Sequence, residues 1–149
     1  MLLGAFFDNR GRPTIEGRLS IFSLNVAADI PFLFDTGAST TVIMPADSIR
    51  LGINPKDPSY VPHAMHGIGS ASGVTFKSLV AFEDDSGDLH AYRIPVTFVV
   101  PGTVRPDAPT LLGRDIINRW IVLLDATNRR FQATVLASDA CFPKGARSP

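Results

Sequence analysis

Residues 32–40 read Phe-Leu-Phe-Asp-Thr-Gly-Ala-Ser-Thr, and this stretch is the most informative in the chain. The apolar run 30–34 predicts a short buried strand that ends at Asp35. We therefore expect the Asp35 carboxylate to lie at the edge of the core, partly removed from water. Thr36 offers a hydroxyl, and Gly37 permits a close approach of the backbone. An aspartate that only forms a turn between two strands has the same tripeptide, so the triplet alone leaves both interpretations open.

The composition is typical of one folded domain. Of 149 residues, 45% are apolar and 19% charged, which is enough to build a core. Acidic and basic residues balance at 14 each, so no net field favours nucleic acid. No apolar run reaches the ~20 residues that span a bilayer, and residues 1–7 lack the basic start of a signal peptide. The single Cys141 cannot form an internal disulfide, and these absences together fit a cytoplasmic protein. We also expect no metal and no cofactor.

Strands and turns dominate the pattern, because 12 prolines and 12 glycines punctuate β-branched and aromatic runs. Turns are predicted at 25–29, 83–88 and 125–129, and a mobile tail at 143–149. The predicted strands are 14–24, 30–34, 40–44, 74–82, 89–100, 120–124 and 130–136, and the predicted helices are 45–51 and 114–119. These elements indicate a mainly β chain, 1–149, with one or two short helices and no linker that divides it.

Three segments, in the right order, resemble motifs of the retropepsin-like aspartic proteases. The Asp-Thr-Gly-Ala at 35–38 resembles their active-site loop, and the Gly-Ile-Gly-Ser at 67–70 resembles the tip of their flap. The Leu-Leu-Gly-Arg-Asp at 111–115, followed by two isoleucines, resembles the motif that opens their conserved helix. The similarity covers about residues 14–136. It implies a closed acid-protease barrel that hydrolyses peptide bonds in a polypeptide substrate.

Peptide hydrolysis of this kind uses two carboxylates that share one water, one ionised and the other protonated. This chain contains a single Asp-Thr-Gly. Asp115 follows Gly-Arg rather than a strand and loop of the same kind, so it is a poor second acid. We therefore expect the second acid to be Asp35 of another copy, brought beside the first by a two-fold axis.

The resemblance also assigns roles to residues. Thr36 would bond across the two-fold axis, and Gly37 would offer its backbone to the substrate. The expected residues are Asp35, Thr36 and Gly37 for catalysis, Ala38, Gly67, Ile68 and Gly69 for substrate binding, and Arg114 and Asp115 for structural support.

One position departs from the viral enzymes. They usually carry an aspartate where this chain has Ser39, and that aspartate pairs with the arginine of the helix motif. We therefore expect Arg114 to bond backbone or another acid, and the match is closer to bacterial and cellular relatives. Viral enzymes also interleave their terminal strands in the dimer, and the residues beyond Leu136 exceed that plan.

Other interpretations remain open at this point. His63 and His66 favour a solvated loop over zinc, and the acidic run 83–88 favours a hairpin turn over calcium. The chain could be a catalytically silent dimerisation or peptide-binding module, because a fold does not guarantee an activity. It could also be the protease domain of a larger polyprotein or membrane protein.

Overall fold

The computed structural model describes residues 1–65 and 71–146. Eleven strands and two α-helices are assigned there, together with 3-10 turns at Phe22–Leu24 and Lys144–Ala146. The strands are β1 Ala5–Phe7, β2 Pro13–Ile21, β3 Val26–Phe34, β4 Val42–Ile43, β5 His63–Ala64, β6 Ser72–Glu83, β7 Leu89–Val99, β8 Leu111–Leu112, β9 Trp120–Asp125, β10 Arg130–Val135 and β11 Ala140–Phe142. The helices are α1 Pro45–Arg50 and α2 Arg114–Ile117. Within the described part of the chain, no helix is long and apolar enough to cross a membrane.

Six strands close into a barrel. The order β2-β3-β8-β4-β7-β6 returns to its start because β6 also pairs with β2, with Arg18 opposite Ala81. Two of the contacts are parallel: β3 with β8, where Phe34 lies opposite Leu112, and β4 with β7. The prediction of a mainly β closed barrel with short helices is confirmed.

The barrel interior is filled by side chains that alternate along the strands. On β2, Ile15, Leu19 and Ile21 are fully buried, and on β3 the same is true of Ile30 and Phe32. Successive side chains of a strand point to opposite faces, so alternate residues reach the core. The apolar end of β3 is therefore anchored directly before Asp35.

Several boundaries differ from the prediction. The turn expected at 25–29 begins three residues earlier, at Phe22–Leu24, and Asn25 closes it in the left-handed conformation with φ 52°. Asparagine tolerates that conformation, so the chain reverses there and Val26 already pairs with Ile21. The strand predicted at 40–44 is confined to β4, and the helix predicted at 114–119 ends at Ile117.

The first and the last strand of the described chain, which the sequence analysis did not predict, both pair within their own chain. Strand β1 pairs with β2, and β11 pairs with β7. The predicted mobile tail begins at 143, yet the Lys144 amide donates to Asp88 Oδ1 at 3.1 Å. Mobility of the last residues stays a prediction, because 147–149 lie outside the described residues.

The polar turn between β6 and β7 is organised by Asp84. Its Oδ1 accepts hydrogen bonds from the amides of Ser86 and Asp88, and its Oδ2 contacts His90 Nε2 at 2.9 Å. The described residues contain no group of three or more side chains placed to hold a metal ion. The hydrogen bond with His90, followed by those of the amides, holds the pKa of Asp84 below its ordinary value.

A lowered carboxyl pKa in the folded state stabilises the protein above the unfolded pKa of about 3.9. That stability is lost as pH falls through the lower folded value. The free energy of unfolding of the wild type should fall as the pH is lowered, and we expect this slope to be shallower in Asp84→Asn. For one proton the difference in slope is at most ~1.4 kcal/mol per pH unit. Urea unfolding between pH 5 and pH 2.5 checks this, with the exposed Asp107→Asn as control. Equal slopes for Asp84→Asn and wild type would contradict it.

Candidate active site

Asp35 directly follows β3 and is held by short backbone contacts. Its amide donates to the carbonyl of Leu112 on β8 at 3.2 Å, which extends the parallel pairing by one residue. The Gly37 amide donates to Asp35 Oδ1 at 2.8 Å, and the Ala38 amide donates to the Asp35 carbonyl at 3.2 Å. Asp35 is half-buried, and its carboxylate is held by its own loop.

The loop is open to solvent on one side. Thr36 and Gly37 are exposed, and Ala38 is half-buried. A Cβ on Gly37 would lie 3.0 Å from Asp35 Oδ1, so a larger residue would crowd the carboxylate. Within residues 1–65 and 71–146, neither Asp35 Oδ2 nor the Thr36 hydroxyl has a hydrogen-bond partner. Among the described residues, two polar groups at the loop are therefore left without a partner.

Arg114 ties the first turn of α2 to this loop. Its amide donates to the Ala38 carbonyl at 2.9 Å, and its Nη1 donates to the Thr36 carbonyl at 2.8 Å. Both acceptors are main-chain oxygens, so the arginine needs no acid at the position of Ser39. Fixing the carbonyls on either side of Gly37 restricts how the loop can move.

Asp115 is engaged on the far side of the same loop. Its Oδ2 accepts from the Thr41 amide at 2.9 Å, and its Oδ1 accepts from the Thr41 hydroxyl at 2.8 Å. The Gly113 amide donates to that hydroxyl oxygen at 3.1 Å. With both oxygens used, Asp115 joins α2 to the chain entering β4.

Sequence reasoning missed Thr41, which is fully buried. The only signal was a threonine next to the apolar pair Val42 and Ile43. Such a pattern predicts only an ordinary strand residue. The sequence gives no sign of its partner, because Asp115 is 74 positions away.

We expect Thr41→Val to lower the free energy of unfolding by about 2–3 kcal/mol. The isosteric valine leaves the Gly113 amide without its acceptor and removes one donor from Asp115, and an unsatisfied buried group costs about 1–3 kcal/mol. Urea unfolding measures the loss. Thr41→Ser is the matched control, because it keeps the hydroxyl and should stay closer to wild type. A valine variant as stable as the serine variant would show that the hydroxyl contributes little.

Thr110 is a second buried threonine that the sequence analysis did not single out. Its hydroxyl accepts from the Met44 amide at 3.0 Å and donates to Asp47 Oδ2 at 2.7 Å. Its carbonyl accepts from the Leu33 amide at 2.8 Å. Thr110 thereby joins β3 to α1 and to Met44, the residue that precedes that helix.

The predicted flap residues Gly67, Ile68 and Gly69 lie outside the described residues, as does His66. The chain on either side is antiparallel: β5 pairs with the start of β6, and the Met65 amide donates to the Ala71 carbonyl at 3.0 Å. His63 Nε2 contacts the Thr75 hydroxyl at 2.7 Å. The role of 67–69 in substrate binding stays a prediction.

Comparisons with known proteins agree with this architecture. A family model described as "Aspartyl protease" matches residues 19–116. The crystal structure of a retropepsin-like aspartic protease from Rickettsia conorii is 18% identical, covers 81% of this chain and 82% of its own, and superposes with a TM-score of 0.51. EIAV protease complexed with the inhibitor HBY-793 is 26% identical over 72% of this chain and 86% of its own, with a TM-score of 0.41. No curated protein matches. The family match and the shared fold confirm the retropepsin-like resemblance.

Proposed function

Since this chain belongs to the aspartyl protease family, we propose that it hydrolyses peptide bonds with Asp35 from each of two copies. The observation that carries the proposal is the state of the Asp35 carboxylate. One oxygen accepts from the Gly37 amide, while the other has no partner among residues 1–65 and 71–146. Asp115, in contrast, accepts a hydrogen bond from Thr41 on each of its two oxygens, so neither is left unpaired.

A two-fold axis through the open side of the loop would set the two Asp35 carboxylates face to face. Like charges about 3 Å apart cannot both ionise easily, so the pair would hold one proton. The ionised member takes a proton from the shared water, whose oxygen bonds to the scissile carbonyl carbon. The protonated member donates to the carbonyl oxygen. The carbon–nitrogen bond then breaks as one hydroxyl of the tetrahedral intermediate returns its proton to the pair, and the amine leaves with a proton from the pair, which again holds one.

The substrate we propose is an extended polypeptide. The exposed backbone at Gly37 offers main-chain groups on one side, and residues 67–69 would cover the other. The exposed Thr36 hydroxyl, which has no partner in the described part of the chain, would bond across the axis and lock the two loops together.

Cleavage of a diverse peptide mixture between pH 3 and pH 8, at several protein concentrations, tests this function. We expect specific cleavage whose rate per chain falls on dilution, because single copies lack the second acid. No cleavage at any pH by a protein that sedimentation shows to be dimeric would instead favour a silent peptide-binding module.

Ala38 provides a prediction about pH. A serine there could donate a hydroxyl hydrogen to the catalytic carboxylates and stabilise the ionised form, which alanine cannot do. We expect Ala38→Ser to move the acid limb of the rate profile down by roughly half to one pH unit, the equivalent of one hydrogen bond of ~1 kcal/mol. The exposed Ala137→Ser is the matched control. Superimposable acid limbs for Ala38→Ser and wild type would refute the prediction.

A further inference from the structure

An apolar groove lies on the outer face of the barrel, over strands β6 and β7. Its volume is about 640 Å³, which is within the range of about 300–1,000 Å³ that is usual for small-molecule sites. Strand pairing sets Lys77 opposite Pro95 and Leu79 opposite Arg93, and all four residues line the groove. The side chain of the intervening Ile94 is buried, because successive side chains of a strand point to opposite faces. The groove is therefore built on the side of the hairpin that faces away from the core.

Two exposed aromatic rings bound this groove. Phe22 belongs to the 3-10 turn that follows β2, and it is 77% exposed. Phe142 is the last residue of β11, and it is 45% exposed. Because β2 pairs with β6 and β11 pairs with β7, the two rings come from opposite sides of the hairpin. Contiguous apolar surface that faces water on a folded protein commonly marks a binding site.

The groove carries two positive charges. Among the described residues that line it are Lys77 and Arg93, but no aspartate or glutamate. Asp139 accepts from the Arg93 backbone amide on Oδ2 at 2.7 Å, while its Oδ1 accepts from Arg119 at 2.8 Å. Over residues 1–65 and 71–146, the Lys77 ammonium and the Arg93 guanidinium take part in no ion pair or hydrogen bond. The rim of the apolar groove therefore attracts an anion.

The two cations are placed to bind one anion together. Lys77 lies opposite Pro95, two residues from Arg93, so the two cationic residues are diagonal neighbours on one face of the hairpin. Diagonal neighbours in a sheet are about 7–8 Å apart at the backbone, which long side chains can bridge. A carboxylate has two oxygens and can accept from an ammonium and a guanidinium at the same time. One carboxylate joined to an apolar body would match both the charges and the apolar surface.

This groove is remote from the catalytic loop. Phe22 lies in the turn before β3, whereas Asp35 directly follows β3 at its other end. The nine residues of that strand span about 30 Å. A ligand in the groove would therefore leave the space around Asp35 open, and the inference holds whether or not the protein cleaves peptides.

We propose that the groove binds a free amphiphilic acid, a small molecule with one carboxylate and an elongated apolar body. The carboxylate accepts hydrogen bonds from Lys77 and Arg93, and the apolar body lies on Leu79 between the two aromatic rings. Rings on both sides limit the width of the groove, which favours a small molecule over a folded partner or a membrane surface.

Isothermal titration calorimetry with dodecanoate, kept below its micelle concentration, tests the proposal. Acetate has the charge without the apolar body, and dodecyltrimethylammonium has the apolar body with the opposite charge. We expect both to bind at least ~10-fold more weakly than dodecanoate, because each lacks one of the two attractions. Absence of dodecanoate binding, or equal affinity for dodecanoate and dodecyltrimethylammonium, would overturn the proposal.

A double substitution locates the charged part of the site. Lys77→Gln combined with Arg93→Gln should raise the dissociation constant for dodecanoate roughly 10-fold, because two exposed charge contacts are lost. Lys56→Gln combined with Arg130→Gln is the matched control, since it removes the same two charges at exposed positions elsewhere. An equal loss of affinity in both double variants would mean that net charge attracts the ligand, and would overturn the site.

The aromatic wall is tested in the same way. Phe22→Ala should raise the dissociation constant for dodecanoate at least ~5-fold, because apolar contact with the ligand is lost. Ile49→Ala, at an isoleucine that is 74% exposed on α1, is the matched control and should bind as wild type does. Unchanged affinity in Phe22→Ala would contradict an apolar body held beside that ring.

Two measurements on the unaltered protein need no variant to fold. In amide NMR spectra, dodecanoate should shift the resonances of 77–79 and 93–94 and leave those of 35–38 in place. Shifts centred on 35–38 would put the acid at the catalytic loop and overturn the proposal. A short peptide of alternating glutamate and leucine that binds the groove more tightly than dodecanoate would assign it to a polypeptide instead. Binding to phosphatidylglycerol vesicles without binding of free dodecanoate would assign it to a membrane surface.

Discussion

Asp35→Asn should abolish peptide cleavage while leaving the fold and the dimer intact. The asparagine side-chain oxygen can still accept from the Gly37 amide, so the 2.8 Å contact that holds the loop has an equivalent. What the amide cannot do is take a proton from water or pass one to the leaving amine. General acid–base catalysis alone is worth about 10²–10⁴-fold, and both copies lose it. We therefore expect turnover at least ~10³-fold lower, with an unchanged melting temperature.

The control and a mixing experiment make this test specific to a shared site. Asp107→Asn removes an exposed carboxylate elsewhere and should cleave as wild type does. Adding excess Asp35→Asn to wild type should inhibit cleavage, because each mixed dimer has only one Asp35. Additive rates in the mixture would show that each chain acts alone. Cleavage by pure Asp35→Asn would remove Asp35 from the mechanism.

Gly113→Ala should cause the largest loss of stability among the substitutions considered for this site. A Cβ at this position would lie 2.4 Å from the carbonyl carbon of Thr40 and 2.5 Å from its oxygen. Both are backbone atoms, which cannot rotate away as a side chain can. We expect the free energy of unfolding to fall by about 3 kcal/mol, the upper part of the range for overpacking. Urea unfolding measures it.

The same substitution should reduce turnover in the molecules that remain folded. Displacing Thr40 also displaces Thr41, which holds Asp115, and the loop that carries Asp35 lies directly before them. Gly145→Ala is the matched control, because, apart from its two chain neighbours, no atom of the described residues lies within 4 Å of a Cβ built there. Equal stability of the two alanine variants would mean that Thr40 can move away at little cost.

Local pattern predicted much of the fold. The hairpins β6–β7 and β9–β10 were recognisable because their strands are long, apolar and joined by short polar turns. Helix α1 was recognisable from Pro45 at its start and Gly52, with φ 72°, just after its end. The short strands β1, β4 and β11 were missed or misplaced, since two or three residues hold too little periodicity and owe their conformation to a neighbouring strand.

The sequence by itself determined that Asp35 directly follows an apolar run and opens the single Asp-Thr-Gly of the chain, because both features depend on neighbouring residues. Only the tertiary structure decided what supports them. Arg114 meets Thr36 across 78 positions and Thr41 meets Asp115 across 74, and no local pattern encodes such distances. The pairing of β9 with β10 outside the barrel belongs to the same class. Whether a strand has a neighbour on each side depends on how the sheet closes, and here the barrel closes without β9.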